Sequence, residues 1–97
     1  MVVVAAGEID IATREEFQQA LDGSSPVGGL LIVDLSRCSY IDSSGLSVLI
    51  RAHKQGATIA VVLAASDAVN RVFRISGLDR LFRFVDSVEE ALGGHAA

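Results

Sequence analysis

The sequence is poor in the residues that most charged, secreted and catalytic classes require. It has a single cysteine, Cys38. No disulfide framework or cysteine-rich metal site can form within one chain, and a reducing, cytosolic setting is the expectation. Basic residues are few: 8 Lys and Arg stand against 12 Asp and Glu, for a net charge of -4. A surface that tracks phosphates needs clustered Lys and Arg, so this balance argues against nucleic acid and against an anionic membrane surface as partners. Long apolar runs are missing too. Met1-Val2-Val3-Val4-Ala5-Ala6 stops at Gly7-Glu8, too short for a signal peptide or a spanning helix, and reads as a first strand. There is no Gly-x-Ser-x-Gly elbow, no Walker-type or Gly-x-Gly-x-x-Gly phosphate loop, and no His/Asp/Glu set at metal-ligand spacing. Neither an internal repeat nor an interdomain linker interrupts the chain.

What is present fits one small globular domain over residues 1–97. Hydrophobic residues make up 51% and charged residues 21% of the sequence, which argues against disorder. Strand and helix patterns alternate. Val2–Ala6 reads as a strand closed by Gly7. Thr13-Arg14-Glu15-Glu16 has the form of a capping box, with Phe17, Ala20 and Leu21 following at helical spacing and Gly23 suited to the stop. The turn-rich segment 23–29 leads into Leu30–Leu35, an apolar run broken only by Asp34 and typical of a strand covered on both faces. A second buried strand is expected over Thr58–Leu63 and a short last one over Leu81–Val85. Between them, Ser66-Asp67 opens a helix with Val69, Val72 and Phe73 inward and Arg71 and Arg74 outward, ended by Gly77. Ser87-Val88-Glu89-Glu90 opens a final short helix that fades at Gly93-Gly94. The implied fold class is α/β: a mainly parallel (mixed) sheet of four to five strands with about four helices.

The segment richest in chemistry is Asp42-Ser43-Ser44-Gly45-Leu46. It precedes a helical pattern in which Leu46, Val48, Leu49, Ile50 and Ala52 share a face, closed by Gln55-Gly56. Helix N-termini at strand ends expose backbone N–H groups. Asp and Ser are preferred N-caps, each contributing about 1 kcal/mol, so capping alone explains one polar residue. Three in succession exceed that need, and Gly45 in the first turn costs up to about 1 kcal/mol relative to alanine. A small residue there suits a close approach to the backbone. Ser44 lacks a catalytic base. His53 is nine positions further on, about 13 Å along a helix, and continues the apolar face as a half-buried histidine. His95 falls in the C-terminal tail. A phosphoryl group on either serine would add about -1.5 to -2 charges and three acceptor oxygens, enough to dislodge a docked partner without unfolding the domain.

Four pieces together resemble the STAS domain of bacterial anti-sigma-factor antagonists. They are Gly7-Glu8-Ile9-Asp10, Val33-Asp34-Leu35-Ser36, Tyr40-Ile41-Asp42-Ser43-Ser44-Gly45-Leu46 and Ile75-Ser76-Gly77-Leu78-Asp79, in the family's order and spacing over nearly the whole chain. The resemblance implies a cytoplasmic, non-enzymatic partner-switching module without cofactor or metal. In such a module the unphosphorylated antagonist binds an anti-sigma factor, itself a serine kinase of the histidine-kinase-like ATPase fold, and the sigma factor is released. The kinase then phosphorylates the second serine of the motif, here Ser44, and a metal-dependent serine phosphatase resets the switch. Asp42, Ser43, Ser44, Gly45 and Leu46 match the contact motif, and Asp10 would lie near it. The chain starts directly in its first strand, whereas family members usually carry several more residues ahead of the Gly-Glu-Ile-Asp turn. Ile11 follows Asp10 as an apolar residue in a turn. Two other readings stand beside this one: a STAS subunit of a transport or stress-sensing assembly without phospho-switching, and a nucleotide-binding protein or enzyme using a helix N-terminus.

Overall fold

The structure, a computed structural model, describes residues 2–24 and 29–93. In chain order these form Val2–Val4 (β1), Gly7–Ile9 (β2), Arg14–Ser24 (α1), Leu30–Asp34 (β3), Cys38–Ile41 (β4), Ser43–Lys54 (α2), Thr58–Val62 (β5), Asp67–Ser76 (α3), a 3₁₀ turn at Leu78–Arg80, Arg83–Val85 (β6) and Val88–Gly93 (α4). β1, β3, β5 and β6 make a sheet in that spatial order, with every pairing parallel. The two apolar runs supply its centre, as their composition demands.

Alternate residues of the central strands feed two cores of unequal size. Leu31, Val33, Ile59 and Val61 point into the larger one, with Phe17 and Leu21 of α1, Leu49 of α2, and Val69 and Phe73 of α3. Ile32, Ala60, Val62 and Val85 point the other way, where they meet Ala91 of α4. A parallel sheet with both faces covered needs apolar residues at successive positions, and this one has them. α4 packs on β3, β5 and β6, while Val2 and Val4 on the edge strand stay exposed.

The structure differs from the sequence reading at several points, each with a local cause. Strand β1 does not run on to Ala6. Gly7, at φ +79°, turns the chain into a second strand. β2 pairs in parallel with β4, forming a two-stranded ribbon apart from the main sheet. β4 fills the stretch between the Leu30 run and the pentapeptide, to which the sequence reading assigned no element. Both chains of the ribbon leave the main sheet together. Ala5 N–H still reaches Asp34 O at 3.0 Å, and Gly7 N–H then reaches Arg37 O at 3.0 Å. The Asp34 carboxylate holds the bend by accepting from Ser36 N–H at 2.9 Å. The described strands thus number six, in sheets of four and two.

The helix boundaries also shift. α1 runs through Gly23 to Ser24, so Gly23 is no stop, and the following turn-rich segment and His95 fall largely outside the described residues. Thr13 does not form the expected box with Glu16, because its hydroxyl is spent on the preceding turn. At α3, Ser66 occupies the N-cap without a side-chain cap bond. Asn70 holds that junction instead, accepting from Ala64 N–H and donating to Ala64 O, both at 2.9 Å. Gly77 ends α3 in the left-handed region, at φ +79°. The last box forms nearly as read: Glu90 N–H donates to Ser87 Oγ at 3.1 Å, and the Glu90 carboxylate accepts from Asp86 N–H at 2.7 Å, one residue before the ideal position. His53 is half-buried, its ring edge-on to Phe82 with centroids 6.0 Å apart. Burial pushes the Cys38 thiol above its usual range, and the thiol donates a hydrogen bond to Tyr40 O at 3.3 Å.

Leu49 links α2 to the main core and is 0% exposed. Leu49→Ala is expected to cost about 2–5 kcal/mol, the range for a fully buried leucine. The check is the urea midpoint, which falls well below that of the wild-type chain.

Candidate functional site

The ribbon exists to present two chain ends side by side. Ile9 pairs with Ile41, so the residues that follow, Asp10 and Asp42, emerge as neighbours. The Asp42 N–H donates to Ile9 O at 3.1 Å, which extends the pairing by one bond past the strands. From there the chain enters α2 on one side and the Asp10 turn on the other.

Asp42 caps α2. Its backbone is extended, and its Oδ1 accepts from Ser44 N–H at 2.8 Å and Gly45 N–H at 3.3 Å. This satisfies two of the donors that a helix start leaves open. Ser43 is exposed and Ser44 half-exposed. Among the described residues, neither serine hydroxyl has a hydrogen-bond partner within the chain. One turn later, Ser47 Oγ donates to Ser43 O at 2.8 Å, tying down the first turn. The serines are thus held by backbone bonds while their own hydroxyls stay free.

Gly45 has an internal reason to be glycine. A Cβ at this position would stand 2.6 Å from Ile9 Cγ2 and 2.8 Å from Ile41 Cγ1. The close approach inferred from the sequence is therefore made by the chain's own ribbon, and the space expected for a partner's backbone is filled by two isoleucines. Leu46 is 8% exposed and belongs to the main core. The motif thus divides into two layers. Asp42, Ser43 and Ser44 form its surface, and Gly45 and Leu46 seat that surface on the ribbon.

The Asp10 turn is similarly locked. Asp10 Oδ1 accepts from Ala12 N–H at 3.0 Å and Thr13 N–H at 3.1 Å. Thr13 Oγ1 accepts from Asp10 N–H at 2.9 Å and donates to Glu8 O at 2.8 Å. The resemblance placed Asp10 near the motif, and the structure brings it there, but with its carboxylate engaged in the turn. Thr13 is the residue that reading the sequence assigned to the wrong task. The available signal was the Asp-x-x-Thr spacing, which suits a side-chain-closed turn as well as a helix cap. No charged group pairs with Asp10 or Asp42: among the described residues the ion pair is Arg74–Asp67, at 3.9 Å and on the surface.

The arrangement is a small, rigid, largely polar platform at the C-terminal ends of two parallel strands, where α/β proteins commonly place binding sites. Among the described residues, no side-chain base hydrogen-bonds either serine hydroxyl. The comparisons agree on the class. The chain belongs to the STAS-domain family: the match to the family described as Mlab, STAS domain, spans residues 1–86. It is 33% identical to the anti-sigma-B factor antagonist of Listeria monocytogenes over 98% of this chain and 86% of the relative. It is 30% identical to the anti-sigma-F factor antagonist RsfB of Mycobacterium tuberculosis over 96% of this chain and 79% of the relative. Among solved structures, an anti-sigma factor antagonist from Mycobacterium paratuberculosis superposes with TM-score 0.81 at 29% identity, covering 99% of this chain and 85% of that one. The anti-sigma factor antagonist SpoIIAA in its unphosphorylated form shares the fold, with TM-score 0.74 at 24% identity, covering 98% and 86%.

Gly45→Ala tests the seating of α2. Removing a helical glycine gains up to about 1 kcal/mol, but overpacking typically costs about 1–3 kcal/mol. With contacts under 3 Å to two branched side chains, the loss is expected to win. A thermal or urea midpoint at or above that of the wild-type chain would show that Ile9 and Ile41 simply give way.

Proposed function

We propose that this chain is an anti-sigma-factor antagonist that works by partner switching. The unphosphorylated form binds, through the face around Ser44, an anti-sigma factor that is also a serine kinase of the histidine-kinase-like ATPase fold. The sigma factor is thereby released. Phosphorylation of Ser44 ends the binding, and a metal-dependent serine phosphatase restores it. The chain itself is a binding module without catalytic activity and acts in the cytoplasm.

The observation that carries this reading is the state of the Ser44 hydroxyl, half-exposed and without a partner among the described residues, directly above a capped helix start. The cap decides what a phosphate would do. A helix N-terminus ordinarily welcomes an anion. Here the nearest N–H donors, those of Ser44 and Gly45, are already taken by Asp42. A phosphate on Ser44 therefore meets a carboxylate where two of the helix-start donors would have been, and its charge is directed outward, toward whatever is docked. Asp42, Ser43 and Ser44 make contact, while Gly45, Leu46 and Asp10 hold the contact surface in shape. The names of the curated relatives favour this reading over a STAS subunit of a transport assembly.

Incubation with the purified anti-sigma factor kinase of the same organism and Mg-ATP is expected to place one phosphoryl group on Ser44, mapped by mass spectrometry. Modification only elsewhere, or none, would falsify the switch. In calorimetry, Ser44→Asp binds the kinase at least tenfold more weakly than wild type, and Ser44→Ala binds normally but resists modification. Equal affinity for Ser44→Asp and wild type would remove the electrostatic account. Copurification with an ATPase–permease assembly, and no binding to the kinase, would point to the transport reading.

A further inference from the structure

We infer that Ile11 is the apolar anchor of the Ser44 face, seating in an apolar socket with a basic rim on the anti-sigma factor. The inference rests on the docking role proposed for that face. Ile11 is 74% exposed. Scattered exposed apolar residues are ordinary, but two features set this one apart. The first is rigidity. Ile11 sits in the turn closed by Asp10 Oδ1 and Thr13 Oγ1. The hydroxyl of Thr13 ties that turn back to the β2 carbonyl of Glu8. An exposed side chain on a fixed backbone loses little freedom when it is buried against a partner, which is what an anchor requires.

The second feature is position. The Asp42 N–H to Ile9 O bond locks the strand that leads into the Ile11 turn to the strand that leads into the helix start at Ser44, so the two residues belong to one rigid platform. A protein that covers Ser44 closely enough to be expelled by a phosphate also reaches this turn. The chemistry of the opposite surface follows from the surroundings. Within residues 8–16 of the sequence Ile11 is accompanied by Glu8, Asp10, Glu15 and Glu16, with Arg14 the one basic residue. None of these groups forms an ion pair among the described residues. An apolar residue within this acidic stretch, a collar in sequence, is complemented by an apolar socket ringed with Lys or Arg. The collar would steer the encounter and the isoleucine would hold it.

Binding of the purified anti-sigma factor of the same organism, measured by calorimetry, tests this. Burying an isoleucine side chain corresponds to a roughly ten- to hundredfold gain in affinity. Ile11→Ser is therefore expected to raise Kd by that factor while melting where the wild-type chain melts. Ile75→Ser, which removes an equally exposed isoleucine (78%) from the end of α3, leaves Kd unchanged. Raised salt weakens binding of the wild-type chain and of Ile11→Ser by the same factor, since the collar is intact in both. If the wild-type chain binds and Ile11→Ser binds within twofold of it, the anchor is wrong and the docking role stands. Equal losses for Ile11→Ser and Ile75→Ser also overturn the anchor. If the wild-type chain does not bind at all, the docking role fails and the anchor fails with it.

Discussion

Everything at the candidate site depends on how closely the first turn of α2 approaches the β2–β4 ribbon. Two branched side chains, Ile9 and Ile41, occupy the volume where a Cβ of Gly45 would stand. That contact sets the height of the helix over the ribbon. It is why Asp42 can both continue the strand pairing through its N–H and cap the helix through its side chain. A larger residue at position 45 would push the helix off the ribbon and pull these two roles apart. The glycine is thus a spacing element for the whole platform, and its intrinsic cost to the helix is offset by packing.

The platform has little freedom of its own. Two-stranded ribbons are marginal in isolation. This one is stabilised because Ile9, Cys38 and Ile41 are buried in the larger core, and because α2 and α3 pack against β4. Rigid presentation and free side-chain hydroxyls are compatible because the local polar work is done by Asp42, Asp10 and Thr13. Their bonds are short-range, and each aspartate satisfies two backbone N–H donors. The serines are left over, and those leftover groups face outward.

Much of this was legible in the residues. The apolar runs at Leu30 and Thr58 announced central parallel strands, because no other element needs successive apolar positions over so short a length. The capped start of α2 followed from Asp42, and its face from the spacing of Leu46, Leu49 and Ala52. The ribbon was not legible. β2 and β4 are short, and Cys38-Ser39-Tyr40-Ile41 buries only its two ends, so neither strand shows an alternating pattern of useful length. Their pairing is decided by the bend at Asp34 and the positive φ of Gly7, which are tertiary choices. The same limit explains Gly45: the sequence shows that something comes close to it, and only the fold shows that the neighbour is the chain itself. Thr13 misled for a related reason, since one hydroxyl can serve a turn or a helix cap and local sequence does not rank the two.

The burial of Cys38 has a practical meaning beyond packing. Its thiol lies on the ribbon strand that leads directly into the Ser43–Ser44 platform, is 2% exposed, and is kept protonated by its surroundings. Only the thiolate reacts readily, and only when it can be reached. The rate at which an alkylating reagent finds this single thiol therefore counts openings of the strand beneath the platform. The protein carries its own stopwatch for the stiffness of the surface it offers, with no label added.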